Sequence, residues 1–227
     1  MELVVAPVDL LRPKLTEMFE EWASGSERRS CALSGGATAL IFLGALRSAR
    51  VDWSRITLFW GDERAVPPED PESNYGVAAR LLLQPLGANA PRAFRMPADL
   101  PNLAEAALHY DQTLAHELRG GVLDLAILGV GDDGHVCSLF PGHQALTDDD
   151  LRVVGVEDAP KPPPRRLSLT LPFLTQTKKI WLVMLGSRKL PVLYAAMSRS
   201  QRLTPLDLLL QQVKDVTVFT DQVIHRT

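Results

Sequence analysis

Cysteine is nearly absent: Cys31 and Cys137 are the only two in 227 residues. Both sit among apolar neighbours, so a disulfide framework is not expected and a reducing cytoplasm fits. No apolar run approaches the roughly 20 residues that a membrane-spanning helix needs. The opening Met-Glu-Leu-Val-Val-Ala-Pro lacks the basic stretch and apolar core of a signal peptide. Neither charge is in excess, since 24 lysines and arginines against 27 aspartates and glutamates give −3. Bulk charge therefore calls for neither nucleic acid nor an anionic membrane as partner. There is no Gly-x-Ser-x-Gly elbow, which disfavours an acyl-serine hydrolase, and neither His-Glu-x-x-His nor paired Cys-x-x-Cys, so no metal is expected.

What is present is apolar material in short, alternating segments. Hydrophobic residues make up 46% of the chain, enough to bury a core. Periodicity predicts helices over 8–23, 38–46, 75–83, 102–118 and 187–197, and strands over 31–33, 56–60, 123–128, 151–156, 166–171, 180–185 and 216–220. Leu10, Leu11, Leu15, Met18, Phe19 and Trp22 form the apolar side of the first helix. Asn102 is its predicted N-cap for the fourth, and Gly120-Gly121 its stop. Strand–helix alternation predicts an α/β fold, a Rossmann-like, mostly parallel sheet with helices on both faces. No repeat or linker divides the chain, so residues 1–227 read as a single domain.

The most informative stretch is Asp124-Leu-Ala-Ile-Leu-Gly-Val-Gly-Asp-Asp-Gly-His135. A buried strand runs into a glycine-rich turn that presents two aspartates and a histidine, whose ordinary pKa of about 6.5 suits proton transfer near neutrality. Gly129-Val-Gly131-Asp-Asp-Gly134 also matches the dinucleotide fingerprint, with Glu157 near the place of a ribose-binding acid. Against that reading, Asp132 and Asp133 would face a pyrophosphate. Pro141-Gly142 cuts short the helix that should receive it, and the motif lies past the middle of the chain. No nucleotide cofactor is expected.

Four other segments offer polar groups at or beside strand ends. Ser34-Gly35-Gly36-Ala37-Thr38 lies between a strand and a helix, where free amides and the Thr38 hydroxyl suit a phosphate; a plain turn with Thr38 as N-cap suits the segment nearly as well. Asp62-Glu63-Arg64 follows a strand, at the end that lines the ligand crevice of open α/β sheets. Lys161-Pro-Pro-Pro-Arg165-Arg166 and Gly186-Ser-Arg188-Lys189 add stiffly or locally placed cations. Of the remaining histidines, His109 and His116 read as solvated or interfacial, His143 as a minor candidate near the turn, and His225 as part of the tail.

Together these blocks resemble the 6-phosphogluconolactonase family, within the wider group that includes glucosamine-6-phosphate deaminase. The resemblance runs over residues 34 to 189 through Ser34–Thr38, Trp60–Arg64 with Ser73-Asn-Tyr75, and Leu128–His135 with Ser138–Gly142. It continues through Lys161–Arg166 with Leu169–Pro172, and more faintly through Gly186–Lys189. Ala37 and Ala39 depart from the family's usual Ser-Gly-Gly-Ser-Thr-Pro, and Cys137 stands where alanine is usual. The related deaminases carry Asn-Glu-Pro where this chain has Leu139-Phe140-Pro141, and phenylalanine exchanges no proton.

The resemblance implies a glucosamine-6-phosphate deaminase-like fold and hydrolysis of a sugar-phosphate lactone without metal or organic cofactor. It implies His135 as general base on water, with Asp133 orienting the imidazole, Asp62 binding sugar hydroxyls or supporting the proton path, and Arg64 stabilising developing charge or phosphate. Gly35, Gly36, Thr38, Arg166 and Lys189 are the implied phosphate contacts. The expected partner is a small-molecule lactone, and the expected form a cytoplasmic monomer or small homo-oligomer. An aminosugar-phosphate deaminase and a non-catalytic sugar-phosphate sensor are the competing functions.

Overall fold

The computed structural model describes residues 1–147, 151–198 and 204–224; His225 lies outside them. In chain order the strands are β1 (Glu2–Val5), β2 (Arg29–Leu33), β3 (Ile56–Trp60), β4 (Asp62–Arg64) and β5 (Arg92–Ala93), then β6 (Leu125–Gly129), β7 (Val153–Val156), β8 (Arg166–Leu169), β9 (Lys179–Met184) and β10 (Val216–Thr220). The helices are α1 (Val8–Ala23), α2 (Ala39–Ser48), α3 (Asn74–Ala78), α4 (Gln84–Leu86), α5 (Leu103–Glu117), α6 (Leu171–Thr175), α7 (Leu190–Met197) and α8 (Pro205–Gln212). A π turn over Ala79–Leu83 joins α3 to α4.

Seven strands form one parallel sheet in the order β1-β10-β9-β6-β2-β3-β5, flanked by helices. Its central strands are apolar because both of their faces are covered: Leu125, Ala126, Ile127 and Leu128 are all fully buried, as are Leu33 and Trp60 beside them. Each large apolar side chain so buried contributes about 1.5–3 kcal/mol. In α1, Leu11, Leu15 and Phe19 face this core, whereas Leu10 stays 56% exposed. Asn102 caps α5 as expected, its Oδ1 accepting from the amides of Ala104 and Glu105.

Two of the strands expected after residue 150 leave the parallel sheet. β4, β8 and β7 make a separate antiparallel sheet, with Asp62 opposite Ser168 and Arg64 opposite Arg166. The chain between β7 and β8 holds no helix, and a connection without a crossover returns antiparallel. β1, β4, β5, α6 and α8 carry too few periodic residues to stand out in sequence. α8 does carry a capping box, with Thr204 and Asp207 satisfying each other's amides.

The chain runs from β2 to β3 in one direction along the sheet and from β6 to β9 in the other. Between β6 and β2 the order reverses, and at such a point the strand ends diverge and leave a crevice at their carboxyl side. Leu33 pairs with both Trp60 and Ile127, and Gly129 with Val183, so four adjacent strands end at nearly one level. Their following residues, Ser34, Gly61, Val130 and Leu185, open four of the five polar segments singled out above.

Candidate active site

β6 delivers His135 through a turn that the backbone closes on itself. The Gly131 amide donates to His135 O at 2.8 Å, and the Gly134 amide to Gly131 O at 3.1 Å. Gly134 adopts φ +83°, and a Cβ there would strike Thr204 ahead of α8. Gly131 matters for space: a Cβ would overlap the His135 ring and the Asp133 carboxylate. The imidazole lies against that bare backbone, with Phe140 beside it at 4.5 Å between ring centroids.

Asp133 Oδ1 is 2.5 Å from His135 Nδ1 and also accepts from the His135 amide at 3.2 Å. A carboxylate at Nδ1 places the proton of the neutral ring there and leaves the Nε2 lone pair free. Nε2 has no protein partner among the described residues. Burial pushes the His135 pKa below its usual value, and Lys161 adds to the fall, outweighing the upward pull of Asp133. Burial would raise Asp133, yet the hydrogen bond and charge of His135, with Lys161, hold it down to about 2. The resting pair is therefore an ionised Asp133 and a neutral imidazole at neutral pH. Lys161 Nζ sits 3.3 Å from Asp133 Oδ2 and 3.4 Å from His135 Nδ1, a contact the sequence reading did not assign.

Asp62, 5% exposed, is fixed from two sides. Ser138 Oγ donates to its Oδ2 at 2.8 Å, and Asn74 Nδ2 reaches its carbonyl at 2.9 Å and Oδ1 at 3.3 Å. Asn74 in turn packs over Gly35 so closely that any Cβ there would collide with it. The neighbouring Glu63 turns away to a structural task. Its buried carboxylate accepts from the amides of Arg64, Asn74 and Tyr75 and from Ser73 Oγ, clamping β4 to the start of α3. Arg64 Nη1 donates to Glu72 O at 2.6 Å, while its buried Nε meets no acceptor.

On the opposite wall, the amides of Gly35, Gly36, Ala37 and Thr38 donate to no protein acceptor among the described residues, at the N-terminus of the ten-residue α2. Gly36 takes φ +80°, which turns the backbone there. Lys189 reaches the cleft beside Asp132, 2.5 Å away. Arg166 also reaches it, 4% exposed, but its guanidinium is engaged: Nε to Pro163 O at 2.8 Å, and Nη2 to Lys161 O at 2.9 Å and Pro162 O at 3.1 Å. Its work in this structure is to hold the proline loop that carries Lys161. Arg166→Ala is expected to cost about 2–4 kcal/mol of stability, because those carbonyls lose a buried cationic donor. A chemical-denaturation midpoint equal to wild type would remove that role.

Eight of the nine sequence-derived candidates, Gly35, Gly36, Thr38, Asp62, Arg64, His135, Arg166 and Lys189, line one cleft of about 320 Å³. The ninth, Asp133, touches it through His135. Lys161, Asp132 and Arg188 line the same cleft; their motifs stood out in the sequence but their roles did not, since a charge on a loop gives no local sign of where it points. His143 stands apart, its Nε2 2.9 Å from Asp158 and its Nδ1 accepting from Ala145. His116 is exposed beside Glu117.

Fold and site together define an α/β enzyme class in which a histidine–aspartate pair faces a cation-lined cleft at the carboxyl ends of a parallel sheet. The chain belongs to the glucosamine-6-phosphate isomerase/6-phosphogluconolactonase family, whose family model matches residues 7–218. It is 39% identical over 198 residues to a 6-phosphogluconolactonase of Streptomyces coelicolor, covering 81% of this chain and 76% of that one. It is 34% identical over 207 residues to the 6-phosphogluconolactonase of Rattus norvegicus, covering 88% and 80%. The crystal structure of a Thermotoga maritima 6-phosphogluconolactonase superposes with a TM-score of 0.82 at 25% identity, over 96% of this chain and 98% of that chain.

Proposed function

We propose that this chain is a 6-phosphogluconolactonase, converting 6-phospho-D-glucono-1,5-lactone to 6-phospho-D-gluconate, the second step of the oxidative pentose phosphate pathway. The observation that carries the reading is the free Nε2 of His135, backed by Asp133 and opening on a cleft whose other wall offers the unpaired amides of Gly35 to Thr38. Water attacks the lactone C1 carbonyl while Nε2 takes its proton, and the imidazolium then returns that proton to the departing ring oxygen. Asp133 stabilises the imidazolium, Arg64 the negative charge developing on the carbonyl oxygen, and Asp62 positions sugar hydroxyls. Gly35, Gly36, Thr38 and Lys189 take the 6-phosphate, and Arg166 adds its positive charge to the cleft while it holds the 161–163 loop.

The reading treats residues 1–227 as a single domain, supported by the continuous core that runs from Leu11 to Phe219. It invokes no metal or organic cofactor and no nucleic acid, and takes the protein as a monomer or small homo-oligomer in the cytoplasm. Among the described residues no helix is long and apolar enough to cross a membrane. The deaminase alternative loses support at Phe140, whose apolar ring stands against His135 where the related deaminases carry a proton-exchanging glutamate. Acid release from freshly made 6-phosphogluconolactone, without ammonia release from glucosamine 6-phosphate, is the expected result. The reverse pattern identifies a deaminase, and silence in both assays a sensor.

The histidine must be neutral to act, so activity falls as pH drops through its pKa. That pKa is lowered, chiefly by burial, and the acid limb of kcat/KM is expected below pH ~6.5, the ordinary value for histidine. Asp133→Asn removes an interaction that raises it, so the limb moves further down. The plateau falls roughly tenfold to a hundredfold as the ring loses its orienting partner. An acid limb that moves up instead sinks this account of the pair.

A further inference from the structure

The cations of the cleft differ in what holds them. Arg166 is bound by carbonyls of the loop at 161–163 and Arg64 by Glu72 O, backbone acceptors that cannot move away. Lys189 is held by a side chain. Its Nζ lies 2.5 Å from Asp132 Oδ1, and Arg188 Nε lies 3.7 Å from Asp132 Oδ2. No other acceptor holds either cation among the described residues. The carboxylate is 42% exposed and the lysine side chain 20%. All three residues line the cleft with the free amides of Gly35 to Thr38.

We propose that Asp132 is a resident counter-anion for Lys189 and Arg188, exchanged for the ligand's phosphate on binding, and that it sets how tightly this protein holds phosphorylated ligands. The proposal rests on the lactonase reading for the sugar but only on the cleft's charges for the phosphate. The ion pair keeps the long lysine stem over the cleft before ligand arrives, which saves some ordering entropy. In return, an entering phosphate must displace a carboxylate and then sit beside it. Two anions so placed repel, and solvent at a half-exposed site weakens but does not abolish that repulsion. Substrate and product carry the same phosphate, so tighter grip on it lowers KM and slows product departure alike. Asp132 trades affinity for release.

Asp132→Asn separates the two effects, because the amide oxygen still accepts from Lys189 while the charge is gone. The expected result is about fivefold tighter binding of 6-phosphogluconate and of inorganic phosphate by calorimetry. KM for 6-phosphogluconolactone falls in step, kcat does not rise, and KM for unphosphorylated glucono-1,5-lactone stays as in wild type. Asp132→Glu, which keeps the charge, does not reproduce the tighter phosphate binding. Unchanged or weaker phosphate binding by Asp132→Asn, or an equal change for the unphosphorylated lactone, overturns the proposal. Should the wild type hydrolyse no lactone at all, the lactonase reading fails by itself, while the inorganic phosphate titration still judges Asp132; absence of phosphate binding in both proteins overturns it too.

Discussion

His135→Ala is expected to lower kcat for 6-phosphogluconolactone by about 10²–10⁴-fold, the usual worth of a positioned general base. KM and thermal stability should stay close to wild type. The ring's polar contacts are with Asp133 and Lys161, both partly exposed side chains, and its apolar contact is with the tilted ring of Phe140. Removing it leaves the sheet, the Gly35–Thr38 amides and Lys189 in place, so substrate still binds while the proton acceptor is lost. Lactones of this ring size hydrolyse unaided, so the decisive measurement is the enzyme-dependent rate after subtraction of the spontaneous one. A variant that keeps wild-type turnover would show that the proton goes elsewhere.

Gly131→Ala should be nearly as damaging, about a hundredfold in kcat, by misplacing the same ring without touching its chemistry. The new methyl group would occupy the space of the imidazole and of the Asp133 carboxylate. The imidazole lines the open cleft and the carboxylate is 39% exposed, so both can swing outward, and fold stability should change little. The signature is a folded protein that binds 6-phosphogluconate yet turns over slowly. Full activity in this variant would mean that the ring has room to spare, and that the close packing on Gly131 does not position it.

Phe140 connects the two predictions. Its ring closes one side of the imidazole, and the burial it contributes to is the main force pushing the His135 pKa down. A low pKa keeps the base unprotonated at neutral pH, at the cost of some basicity. Asp133 works the other way, toward a stronger base. The balance between burial, with Lys161 on its side, and the carboxylate of Asp133 sets the pH at which the reaction can run.

Local features were readable without coordinates. β3 and β10 begin and end where periodicity placed them, as does α1. Asn102 caps α5 because its side chain needs only the amides two and three residues ahead. The Asp133–His135 pair, implied by the resemblance, spans two residues of one tight turn, so only local geometry is needed to form it. Short elements escaped detection. β5 has two residues and β4 three charged ones, and neither carries a period that a window of sequence can register.

The chain's order of residues by itself determined a parallel α/β architecture, a histidine presented on a glycine turn, and cations waiting at successive strand ends. It did so because hydrophobic period, capping and turn geometry are settled between near neighbours. Only the tertiary structure decided which of those groups meet: Ser138 on Asp62 across 76 positions, Lys161 against the imidazole, Arg166 spent on its own loop, and Asp132 holding the lysine that a phosphate would need. Those choices follow from where four strands stop in one sheet, and strand order is fixed by packing of the whole core, which no short stretch of sequence encodes.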